Sequence, residues 1–159
     1  YVYGTLSNTG GEDPLDFDAL MANPAEYFAV ACNVETGEPV YLDKSCVTRD
    51  HYDVCKASCA LPVACHPYKA GGVLCLDGGM ADPVPIRKAF DDGCDKVVLI
   101  LTKPRDTVRQ AKDDATFAKL LRLRYPKAAA QLALRYKKYN DGVALAKEYE
   151  KQGLSLIHI

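Results

Sequence analysis

Two stretches decide the fold: Val73-Leu74-Cys75-Leu76-Asp77-Gly78-Gly79, and Lys96-Val97-Val98-Leu99-Ile100-Leu101-Thr102. The first is a short apolar run entered through Gly71-Gly72 and left through an Asp-Gly-Gly turn, which spells a strand. Between the two, Asp82-Pro83 has the form of a helix start, with Asp as the N-cap and Pro at the first helical position. A helix is expected over residues 83–92, closed by Gly93. The run from 96 to 102 is unbroken in β-branched residues and leucine, typical of a parallel strand covered on both faces. Residues 73–102 therefore read as a right-handed βαβ unit. The class is α/β, with helices flanking a central mixed or parallel sheet.

Working outward, residues 27–34 carry apolar side chains on both faces and read as an interior strand. The turn Glu35-Thr36-Gly37-Glu38 returns the chain into a second strand over 39–43, a hairpin. Residues 50–60 read as a helix ending before Pro62. Near the start, Tyr1-Val2-Tyr3 reads as a frayed strand. Asp13-Pro14 reads as a helix start, with Phe17, Leu20 and Met21 on its apolar face until Asn23-Pro24. Beyond Pro104 the text is helical. One helix begins near Asp113-Asp114 with Phe117, Leu120 and Leu121 on one face. Pro126 opens another, in which Ala128, Leu132, Tyr136, Tyr139, Val143 and Ala146 recur at helical spacing and Gly142 marks an expected kink. Its lysines and tyrosines also suit a membrane-surface helix, but packing on the sheet is the favoured reading.

The chain has 159 residues, a formal net charge of −1 and 26% charged residues. That balance argues against a nucleic-acid binder held by a basic surface. The longest apolar runs are about five residues, far short of the ~18 a membrane-spanning helix needs. Neither an internal repeat nor a secretory signal pattern is present. Residues 1–154 read as part of one domain. The strand-like end 155–159, with no cap or polar tail, reads as a truncated or artefactual tail similar to translated adapter read-through. The start at Tyr1 rather than Met suggests a cut piece.

Seven cysteines, at 32, 46, 55, 59, 65, 75 and 94, are irregularly spaced and lack a Cys-x-x-Cys pair. Reduced thiols in a cytoplasmic protein are the expectation. Cys55, Cys59, Cys65 and His66 supply four potential zinc ligands, but the adjacent Cys65-His66 pair fits one ion poorly. No metal and no cofactor are expected.

Asp77 is the first candidate for chemistry. It stands past the carboxyl end of a strand, where ligands bind in open α/β sheets. Gly78 and Gly79 after it allow positive φ and close approach of a substrate. A partly desolvated carboxylate there suits a general base; the alternative is an ordinary turn aspartate. Asp82 is expected to be structural. The four serines, Ser7, Ser45, Ser58 and Ser155, all lie outside any Gly-x-Ser-x-Gly elbow. Ser58 lacks the flanking glycines and reads as a helix-end residue. No glycine pair extends into a phosphate-binding loop.

Three segments carry a further pattern. They are Ala57-Ser58-Cys59-Ala60-Leu61-Pro62, Leu76-Asp77-Gly78-Gly79-Met80-Ala81-Asp82-Pro83-Val84-Pro85-Ile86, and Gly93-Cys94-Asp95-Lys96 with the strand that follows. In this order they resemble the patatin-like phospholipases of bacterial type. The Glu35-Thr36-Gly37 hairpin and the helix around Arg135-Tyr136-Lys137-Lys138-Tyr139-Asn140 are similar too. The resemblance implies a three-layer patatin-like fold, present in part, and a serine–aspartate dyad acting on acyl esters of lipids. Asp77-Gly78-Gly79 matches the family's Asp-Gly-Ala/Gly motif, so the resemblance makes Asp77 the base. The elbow serine and the glycine-rich oxyanion loop have no counterpart in these residues, which implies the C-terminal portion of a catalytic domain, inactive alone. A lipid or other acyl ester is the implied partner, nucleic acid is not, and a transient membrane-surface contact stays open. The competing class is a non-catalytic binding domain whose helices over 113–150 serve a partner or membrane surface.

Overall fold

The computed structural model describes residues 1–158. Its centre is a four-stranded antiparallel sheet in the order β2-β1-β4-β3. Here β1 is Phe28–Asn33, β2 Pro39–Asp43, β3 Tyr68–Ala70 and β4 Val73–Asp77. The hairpin of β1 and β2 forms as its sequence predicts, with Ala31 opposite Val40. On its other side β1 pairs with β4, placing Ala31 opposite Asp77. The expected interior strand is thus flanked on both edges. The short β3 escaped the sequence reading because Tyr68-Lys69-Ala70 has no apolar run; it exists by pairing with β4 across the positive-φ turn Gly71-Gly72.

Alternation along the strands builds a core on each face. Ala29, Ala31, Leu42 and Cys75 pack against Tyr52, Val54 and Ala57 of helix α2 (Asp53–Ser58) and its entry. Cys32, Val34 and Leu76 pack against helices α4 (Ala115–Leu121) and α5 (Pro126–Lys151) through Leu121, Ala128 and Leu132. The molecule is therefore mixed α/β, with helices on both sides of a sheet. Helix α1 (Phe17–Ala22) lies against the α2 side through Phe17 and Leu20.

The βαβ unit does not form as the sequence predicts. Both edges of β4 are taken by antiparallel partners, so β5 (Val97–Ile100) joins no sheet with it. Instead β5 pairs in parallel with β6 (Ser155–His158), Val97 opposite Ser155. The parallel character of β5 is right, but only one face is covered: Val98 and Ile100 are exposed. Val97 and Leu99 turn inward onto Tyr139, Val143 and Ala146 of α5 and onto helix α3 (Ile86–Asp91).

Other local readings shift for identifiable reasons. Tyr1-Val2-Tyr3 lies in a 3₁₀ turn, because the Tyr1 carbonyl accepts the Gly4 and Leu6 amides. Asp16 rather than Asp13 caps α1, its Oδ1 accepting the Ala19 amide at 2.9 Å. The amides of Asp13 and Leu15 are bound to the preceding loop, which postpones the helix. Asp82 does not cap α3 either. Each residue before a proline is kept out of helical conformation, so Asp82-Pro83-Val84-Pro85 forms a bend and α3 starts only at Ile86. In α4 only Leu121 of the predicted apolar face is buried, alongside Ala118; Phe117 and Leu120 face outward. Helix α5 runs unbroken through Gly142, whose role is clearance: a Cβ there would stand 2.7 Å from Val84 Cβ.

Candidate active site

Asp77 ends β4 and opens the 3₁₀ turn Gly78–Met80. Its amide is held by the Ala60 carbonyl at 2.9 Å, tying the strand end to the segment that leaves α2. Its Oδ1 accepts the Gly79 amide at 2.7 Å. No hydrogen bond to Oδ2 forms among the described residues. The carboxylate is thereby fixed in orientation through one oxygen, leaving the other available as a proton acceptor.

The two glycines do different work, and neither takes the positive φ that the sequence suggested. A Cβ on Gly78 would lie 2.1 Å from the Val30 carbonyl oxygen, so the turn can rest on β1 only without a side chain. A Cβ on Gly79 would meet only the Asp77 Oδ1, at 3.0 Å. The first position thus demands glycine, while the second needs only a small adjustment by a flexible carboxylate.

Beside this turn lies a cavity of about 380 Å³, lined by Ser58, Cys59, Gly79 and Asp82 together with Tyr3 and Tyr27. Helix α2 delivers Ser58 and Cys59; the turn after β4 delivers Gly79. Burial raises the Cys59 thiol above its usual range and the nearby Asp77 carboxylate adds to the effect, so the thiol stays protonated at neutral pH. A protonated thiol is a weak nucleophile. Burial, followed by a hydrogen bond with Cys55, also raises the Tyr27 phenol; the two atoms lie 3.7 Å apart.

Asp82 belongs to the site's frame. The Tyr41 hydroxyl donates to its Oδ2 at 2.5 Å, and burial, then this bond, raise the Tyr41 phenol. The pair joins β2 to the loop after the 3₁₀ turn. Lys138 of α5 holds the same loop from the other side, donating to the Ala81 carbonyl at 2.7 Å. These supports escaped the sequence reading because Tyr41 and Lys138 are far from the loop along the chain, and only β1–β2 pairing and the phase of α5 bring them to it.

The four candidate zinc ligands are divided: Cys55 and Cys59 line the cavity beside Gly79, whereas Cys65 and His66 line another. Among the described residues no three His, Cys, Asp or Glu side chains come together in a metal-binding group. A family model described as patatin-like phospholipase matches residues 16–90, just under half of the chain. The match spans α1 to α3 and includes both α2 and the Asp77-Gly78-Gly79 turn.

Proposed function

We propose that this chain, whose residues 16–90 match the patatin-like phospholipase family model, supplies the general base of a lipid acyl hydrolase, and that the base is Asp77. The observation that carries this is the state of the carboxylate. It sits at a strand end two residues before Gly79, which lines a cavity, with one oxygen pinned by the Gly79 amide and the other without a hydrogen bond among the described residues. In the reaction a serine hydroxyl attacks the acyl carbonyl of the ester while Asp77 takes its proton. The tetrahedral adduct collapses and the alcohol departs with that proton, leaving an acyl-serine. A water molecule then attacks the acyl-serine, again giving its proton to Asp77, and the acid is released as the serine recovers its hydrogen.

The nucleophile and oxyanion donors lie outside these 159 residues, since none of the four serines stands in an elbow. Ser58 lines the cavity from the last turn of α2, without the strained turn that presents a nucleophile. The 159-residue chain is therefore expected neither to hydrolyse p-nitrophenyl esters nor to take up a fluorophosphonate label at any serine. Labelled Ser58, together with turnover lost in Asp77→Asn, would place the whole dyad within this chain instead.

A second reading, a non-catalytic binding domain, draws on the same 2.7 Å bond, which is also the bond a turn aspartate makes. The two separate on the residue that the longer coding sequence places at the elbow. Serine favours hydrolysis; a substituted serine favours binding.

A further inference from the structure

Helix α4 buries Ala118 and Leu121. At about 100° per residue, Leu120 points away from that side and Phe117 lies next to it. Leu123, in the turn between α4 and α5, is 89% exposed, more than any other large apolar side chain among the described residues. Val63, also exposed, extends this ridge: it lines a cavity of about 290 Å³ together with Leu120 and Arg124. The corner thus presents four apolar side chains to solvent in one place.

The charge around it is one-sided. Residues 115–127 contain Lys119, Arg122, Arg124 and Lys127 and no acid, within a chain of net charge −1. None of these four forms an ion pair among the described residues. The nearest buried acid, Asp114, is committed to Arg135. On the inner flank of α4 lies a groove of about 590 Å³, walled by six alanines and Pro126 together with Lys119 and Arg122. An apolar wall beside cations matches an anionic amphiphile, with chain against the wall and phosphate at the cations.

We propose that this corner docks on an anionic lipid surface. Leu120, Leu123 and Phe117 enter the boundary between head groups and acyl chains, and Lys119, Arg122, Arg124 and Lys127 lie among the phosphates. A second copy of the chain fits less well, because self-association through this face would set four cations against four. The surface requires no chemistry at Asp77, so binding and turnover succeed or fail separately.

The test is co-sedimentation of the 159-residue chain with phosphatidylcholine vesicles carrying about a third phosphatidylglycerol, against vesicles of phosphatidylcholine alone. Binding is expected only to the anionic vesicles and should weaken with added salt. Leu123→Asp should lower partitioning by about tenfold or more. Arg122→Gln with Arg124→Gln should lower it about 25-fold, about fivefold for each cation. Both sites are exposed, and an unchanged circular dichroism spectrum confirms that the fold is kept. Equal binding to neutral vesicles, or equal binding by these variants, would overturn the proposal. So would a dimer that Leu123→Asp dissociates while the vesicles capture nothing.

Discussion

Asp77 is held at its amide by the Ala60 carbonyl and at its Oδ1 by the Gly79 amide, and the glycines after it test that arrangement one atom at a time. Gly78→Ala places a methyl group 2.1 Å from the Val30 carbonyl oxygen, a backbone atom that cannot move without breaking the β1–β4 pairing. The variant should lose several kcal/mol of stability, of the order of 3 or more, as overpacking against backbone does. Gly79→Ala should cost far less. A thermal melt of each variant checks the order, and equal melting temperatures would contradict it. The cysteines give a second test at this scale. Burial pushes Cys32 up to about 12 and Cys75 up to about 11. Native protein should therefore be alkylated first at the exposed Cys65 and Cys94, and at Cys32 and Cys75 only after unfolding. The sign with pH follows. An unfolded thiol loses its proton near its ordinary value of 9.0, whereas native Cys32 keeps it to about 12. This contribution is full below the unfolded value and falls as pH rises between the two. Urea midpoints at neutral and alkaline pH should draw apart less in Cys32→Ala than in the parent sequence. An equal separation would show that Cys32 is not the group responsible.

Among the elements, the join between α4 and α5 rests on an ion pair that the sequence does not announce. Asp114, 4% exposed, accepts from Arg135 through both carboxylate oxygens, one bond being 2.8 Å from Nε. Removing Arg135 leaves the buried Asp114 with only the more distant Arg109 guanidinium at 3.9 Å, so Arg135→Ala should cost about 3 kcal/mol. A denaturant titration reads this, and a loss below about 1 kcal/mol would place the pair with ordinary surface bridges. Elements were legible in the sequence where local chemistry alone decides them. The β1–β2 hairpin follows from two apolar runs around Glu35-Thr36-Gly37-Glu38, and α5 from Pro126 and a helical apolar stripe. The partner of β5 was not legible. Its run fits a parallel strand, but whether β4 or β6 lies beside it depends on which edges β1 and β3 have already filled. The outward face of α4 was misread for a related reason: Phe117 and Leu120 look like core, and only the short alanine side chains facing α5 show which side the neighbouring helix takes.

For the molecule as a whole, Asp77 was legible as a candidate because its position is written locally, a strand end followed by Gly-Gly. Its frame was not, since Tyr41, Asp82, Lys138 and the cavity from α2 converge only through the fold. Helices on both sheet faces hold that frame, and no helix among the described residues is long and apolar enough to cross a membrane. Lipid docking is proposed for the α4 corner, and the proton transfers of acyl-ester cleavage are proposed for Asp77. The most direct measurement is ester turnover by a longer protein proposed to supply the nucleophile, compared with its Asp77→Asn variant. Asparagine keeps the Oδ1 contact with Gly79 and the size of the side chain but cannot serve as the base. The account predicts a loss of about 10²–10⁴-fold with the melting temperature retained. Unchanged turnover in the folded variant would contradict it.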